Sequence, residues 1–259
     1  MLNEIITVYA IIDDLLKAMP AAGYAYAHNE DCRRGMSDAE IITTAVCAAM
    51  FFNGNHHKAC CYLKDHNLIP HMLEKSRFNR RLHGISMLIN DLFHQIGMIL
   101  KEISDCTEYL LDSFPVPICD NIRIFNVKLI KSKEYRGYTA SKKRYFYGVK
   151  IQLLTTKSGI PVEFVFMPGN ANDVRALNAL PLNLPPGSEV YSDSAYTDYT
   201  AEDDLEETSQ ISLKVMRKKN SKRQDAPWDK YIKQHTRHYI ETVFSGITCV
   251  FPKSIHACT

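Results

Sequence analysis

The spacing of apolar residues changes near residue 105, and that change limits the fold more than any other feature. Before it, apolar residues recur three and four apart. In "LNEIITVYAIIDDLLKAM", Ile5, Val8, Ile12 and Leu15 line one side of a helix. "CRRGMSDAEIITTAVCAAMFF" predicts a helix opened by a capping box, with Ser37 as N-cap and Glu40 closing back on it. "SRFNRRLHGISMLINDLFHQIG" carries Phe78, Leu82, Ile85, Ile89, Leu92 and Ile96 in one stripe, which predicts one long helix. Its start holds Arg77, Arg80, Arg81 and His83, a face suited either to DNA phosphates or to solvent.

From residue 107 the period is two. "EYLLDSFPVPIC", "RYFYGVKIQLLTT" and "SGIPVEFVFMPG" predict three strands, the last two joined as a hairpin. "NDVRALNAL" predicts a helix capped by Asn172 or Asp173, "PPGSEVYSDSAY" a fourth strand, and "TAEDDLEETS" a helix with acids at its N-terminal end. "ISLKVMR" is a fifth strand, "KKNSKRQDAPWDK" a basic loop and "YIKQHTRHYIETVFSGI" a last helix. The expected fold class is α/β: a helical domain over 1–104, then a mixed sheet flanked by helices over 105–259.

Composition matters mainly through where the charge lies. The net charge of +2 hides nine Lys or Arg against one acid over 121–150, and nine against two over 214–238. Residues 189–207 hold eight acids and no Lys or Arg. Basic segments interleaved with tyrosines fit a polyanion, although most charge runs are solvated faces. Eight cysteines without a C-x-x-C spacing predict free thiols, and "NHHKACC" is the one crowd of possible metal ligands. Glu4 and the lack of a basic leader predict no signal peptide, and no apolar run is long enough to span a bilayer.

Two predicted strands lead into an aspartate: the first into Asp112, the fourth into Asp193. Taken alone, Asp112 before Ser-Phe-Pro reads as a turn residue, and Asp193 as a turn or cap with Asp198 beside it. On neighbouring strands the two carboxylates would repel unless a cation lay between them. Hard divalent cations take such oxygen ligands. Glu241, at the edge of the apolar face of the last helix, is a third candidate.

Asp112 and Asp193 sit in phrases that resemble the D-D-E transposases of bacterial insertion sequences, and among them the insertion sequence 982 family. The phrases are "CRRGMSDAEIITTA", "YLKDHNLIPHMLEKSRFNRRLH", "DSFPVPICDNIRI", "EYRGYTASKKRYFYGVKIQLL", "PGNANDVRAL", "YSDSAYTDY", "RKKNSKR" and "PKSIHA", in order from about 31 to 257. The resemblance implies a ribonuclease-H-like fold and an endonuclease that cuts transposon ends and joins their 3′ ends to target DNA. It implies Asp112, Asp193 and Glu241 as catalytic and metal-binding residues, with two Mg²⁺ or Mn²⁺ ions per site. It implies terminal inverted repeats and target DNA as partners, a homo-oligomer on DNA, and a cytoplasmic, nucleoid-associated protein with no membrane. Lys142, Lys143 and Arg144, with Tyr145 and Tyr147 beside them, and Lys218, Lys219, Lys222 and Arg223 are then expected to contact DNA, as are Arg237 and Tyr239. Family members usually run on past "PKSIHA", whereas this chain ends at "HACT". The second expectation is therefore a shortened copy that binds transposon ends through residues 1–100 without cutting them.

Overall fold

Two periods in the sequence build two compact units, whose bulk is Met1–Ile96 and Gly97–Thr248. The structure is a computed structural model that describes residues 1–24, 34–120, 130, 132–139 and 143–250. The first unit holds α1 (Leu2–Ala18), α2 (Asp38–Phe52), α3 (His56–Asp65), α4 (Lys75–Gly84) and the first turns of α5 (Ser86–Ser104). Ser37 and Glu40 close the expected capping box, at 3.1 and 2.7 Å. The apolar stripes pack as two clusters, one around Ile12, Leu16, Ile42 and Leu92, the other around Ile41, Leu63 and Phe78. The stripe from Phe78 to Ile96 is not one helix. It breaks at Gly84–Ser86, where the chain leaves helical geometry at Ile85 (ψ 19°). Glycine and serine are weak helix formers, so an uninterrupted stripe still breaks there.

The second unit runs β1 (Glu108–Asp120), β2 (Arg136–Thr139), β3 (Arg144–Thr156), β4 (Pro161–Pro168), α6 (Asp173–Leu177), β5 (Glu189–Ser192), α7 (Tyr199–Ser209), β6 (Ser212–Val215) and α8 (Pro227–Val250). The sheet order is β2-β3-β1-β5-β6, with β4 continuing the β2 edge of β3. β1, β3 and β4 are antiparallel, and β5 and β6 join β1 in parallel. Tyr109, Leu111, Val190, Leu213 and Val215 face Leu177, Leu205 and Tyr196 on one side. Leu110 and Tyr191 face Ile240 and Phe244 of α8 on the other. Helices therefore flank both faces of a mixed sheet, the layout of a ribonuclease-H-like fold.

Three expectations need correction. Asp112 is not a turn residue closing β1: the strand runs on to Asp120, close to the "EYLLDSFPVPIC" expected, and pairs Ser113 to Pro117 with β3. Past Leu111, β1 has a ladder partner on one edge only, because β5 ends at Ser192. Pro115 and Pro117, two apart, put their missing N–H groups on one edge, which such a strand tolerates. The short strand β2 was not expected. The last helix starts earlier, at Pro227, where a proline lacking its N–H costs a helix nothing.

Candidate active site

The last pair in the β1–β5 ladder is Leu111 with Ser192, so Asp112 and Asp193 come next, in one row across two parallel strands. Neighbouring strands lie about 4.8 Å apart. Alternation puts Asp112 on the face of Leu110 and Phe114, and Asp193 on that of Tyr191. It is the face α8 covers: Phe244 packs on Phe114 with ring centroids 4.8 Å apart, and Ile240 is buried with Leu110 and Tyr191. Both carboxylates are half-buried. Each turns one oxygen onto the amide that follows it, Asp112 onto Ser113 at 2.7 Å and Asp193 onto Ser194 at 2.6 Å. Asp193 also starts the 3₁₀ turn Ser194–Tyr196. Asp198, its competitor in the sequence, is the N-cap of α7 and accepts from Thr200 and Ala201.

Beneath the row lies a polar network that the sequence reading missed. The Tyr196 hydroxyl donates to Gln152 Oε1, and Gln152 Nε2 donates to Asp173 Oδ1 at 2.9 Å. Lys150 Nζ lies 3.6 Å from the same Asp173 oxygen. Burial, then the nearby charges of Asp173 and Asp112, hold the Tyr196 hydroxyl well above the usual phenol range. Tyr196 therefore stays a neutral donor. The available signal was Gln152, a polar residue inside an apolar strand, fully buried where it faces Ser113.

Glu241 follows buried Ile240 on α8, and its side chain is exposed. Ile240 and Phe244 take the sheet-facing positions one turn apart, and Glu241 is turned roughly 100° from Ile240. Among the described residues, no three His, Cys, Asp or Glu gather as a metal-holding group. The structure thus brings Asp112 and Asp193 together and leaves Glu241 outside their row. As a donor set, two half-buried carboxylates in register fit Mg²⁺, which takes oxygen ligands and often only one or two carboxylates from protein. The "NHHKACC" crowd opens α3 instead: Asn55 caps it, and His57 meets Cys61 at 3.9 Å. Cys47, Cys60, Cys61, Cys106, Cys119 and Cys249 are free thiols, as expected.

The basic residues divide. Lys142 lies outside the described residues, as does the side chain of Arg237. Lys143 sits in a left-handed turn (φ +48°) before Arg144 opens β3, and both are exposed. Tyr145 is exposed beside Tyr138, with Arg136 over its ring at 4.8 Å. Tyr147 is buried, its hydroxyl donating to the carbonyls of Ile130 and Ser132, so it offers no ring to a base. Lys218, Lys219 and Lys222 are exposed, whereas Arg223 is held by Asp203 at 2.8 and 2.7 Å. Tyr239 is half exposed and reaches the carbonyl of Ser158 at 3.4 Å. No helix among the described residues is long and apolar enough to cross a membrane.

Among known families, a model described as a transposase DDE domain matches residues 103–252, more than half of the chain. Comparison with curated proteins and with solved structures returned no match.

Proposed function

Because the chain belongs to the transposase DDE domain family, we propose that it cuts the ends of an insertion sequence and joins the freed 3′ ends to target DNA at Asp112 and Asp193. DNA is the substrate of such a domain. The observation that carries the residue assignment is the row itself, two half-buried carboxylates at the carboxyl end of the parallel β1–β5 ladder. Ligands of open α/β sheets bind at that end of the strands.

In this reading Asp112 and Asp193 hold the divalent cation, Mg²⁺ or Mn²⁺, and Glu241 joins them from α8. When bound, two such ions activate a water or a DNA 3′-hydroxyl and stabilise the leaving oxygen. The chain's own part is to orient. The amides of Ser113 and Ser194 fix one oxygen of each aspartate. Leu110, Tyr191, Ile240 and Phe244 form the apolar base beside the row. Lys143, Arg144, Lys218, Lys219 and Lys222, with Arg237 and Tyr239 on α8, grip the DNA backbone, whose charge supplies much of the affinity. The phrases quoted above support membership in the insertion sequence 982 family and action as a homo-oligomer.

The test is a labelled linear DNA carrying the two ends of the element that encodes the chain, incubated with Mg²⁺ or Mn²⁺. The reading expects nicks that leave a 3′-hydroxyl at the element end, followed by joined products. Binding without nicking, from monodisperse protein, would overturn it in favour of a binding-only copy.

A further inference from the structure

Residues 216–226, which join β6 to α8, are tied down along their whole length. Arg217 forms a two-pronged pair with Glu202 of α7, Nη1 donating to Oε1 at 2.7 Å, and both side chains are nearly buried. Arg223 grips Asp203 of α7 in the same manner. Both guanidinium groups lie over the ring of Tyr199, the first residue of α7, with Arg217 at 5.3 Å and Arg223 at 4.9 Å from its centroid. Its hydroxyl shares a hydrogen bond with Ser221 Oγ at 2.6 Å and accepts the Lys222 amide at 3.0 Å. The bond with Ser221, with backbone donors and the facing cation, pulls that hydroxyl below the usual phenol range. Gln224 closes on the carbonyls of Lys219 and Ser221, and Asp225 takes Lys233 of α8.

Lys218, Lys219 and Lys222 are the exception. They are exposed and make no ion pair among the described residues. The segment starts beside the carboxylate row, where the Met216 amide donates to the Ser192 carbonyl at 3.1 Å. A loose loop loses conformational freedom when it grips a strand, and a loop already held in place loses far less.

We propose that Tyr199 and Glu202 are positioning residues that hold residues 216–226 as a preformed phosphate grip, presenting Lys218, Lys219 and Lys222 to a DNA backbone beside Asp112 and Asp193. Arg223, expected from the sequence to touch DNA, is part of the clamp. The inference rests on the reading of these lysines as DNA contacts.

The experiment is fluorescence anisotropy of a labelled duplex in EDTA across a salt series, so that metal-dependent cutting plays no part. The variants are Lys218→Ala/Lys219→Ala/Lys222→Ala, Tyr199→Phe, Glu202→Gln and Asp203→Asn. The last breaks only an exposed pair and leaves the core intact. The triple variant is expected to lower the slope of log affinity against log salt by about 2 to 3, near 0.9 for each lost phosphate contact. Tyr199→Phe, Glu202→Gln and Asp203→Asn are expected to weaken binding about three- to tenfold. The Lys222 amide should exchange faster with solvent in Tyr199→Phe. If the triple variant loses affinity while all three clamp variants bind like the parent, the clamp proposal is wrong and the lysine contacts stand. If the triple variant binds like the parent, the lysines are not DNA contacts and both ideas fall.

Discussion

Asp112 and Asp193 sit in one row across a parallel pair, where two ionised carboxylates repel and a cation between them relieves the repulsion. Asp112→Asn keeps an oxygen for the Ser113 amide and removes the repulsion. It is expected to raise stability in EDTA by about 0.2–1 kcal/mol and to lose the rise in melting temperature that Mg²⁺ gives the parent. Differential scanning fluorimetry in both buffers measures this, and a variant that melts below the parent in EDTA would contradict it. At this scale the sequence was half legible. A carboxylate after an apolar run marks both positions, but alone each also reads as a turn. The register that puts them in one row depends on which strand pairs with which, and local pattern does not carry that. Gln152 and Tyr196 escaped for the same reason: their bond spans 44 residues of chain. Glu241 was legible as lying at the edge of an apolar helix face, but not as exposed.

At the scale of elements, period and caps were legible and breaks were not. The helix breaks after Gly84, and its apolar stripe gives no sign of it. Gly84 has open space where a Cβ would go, and its backbone needs no left-handed geometry. Gly84→Ala is expected to stabilise the first unit by about 0.4–1 kcal/mol. Gly97 is the opposite case. A Cβ there would meet the Val162 carbonyl oxygen at 2.0 Å, so α5 lies against β4 only because position 97 has no side chain. Gly97→Ala is expected to cost about 1–3 kcal/mol, as overpacked sites do. Urea melts of the two variants give the signs, and equal shifts would contradict the assignment. The contact at Gly97 adjoins a buried ion pair, Lys101 to Glu163 at 2.7 Å, with Glu163 also accepting the amides of Leu182 and Asn183. Nothing in the spacing of either residue marked it, because it joins a helix to a strand about sixty residues away.

For the whole molecule, buried tyrosines set the alkaline limit of stability. Burial holds the Tyr109 hydroxyl up at about 12, and burial with the Glu189 carboxylate raises that of Tyr191. Tyr196 is raised as well. Above pH 10 the unfolded chain releases these protons and the folded chain keeps them. Stability is therefore full below about pH 10 and falls as pH rises toward 12 and beyond. Urea melts from pH 8 to 12, with phenolate absorbance alongside, check the sign, and a flat profile would contradict it. The proposed function turns on the carboxylate row at the carboxyl end of the parallel β1–β5 ladder. The measurement that tests it most directly is the rate at which the parent, Asp112→Asn and Asp193→Asn nick labelled element-end DNA in Mg²⁺. The account predicts cutting by the parent that EDTA stops, and no detectable cutting by either variant while both still bind the DNA. Cutting by Asp112→Asn or Asp193→Asn at the parent's rate would contradict it.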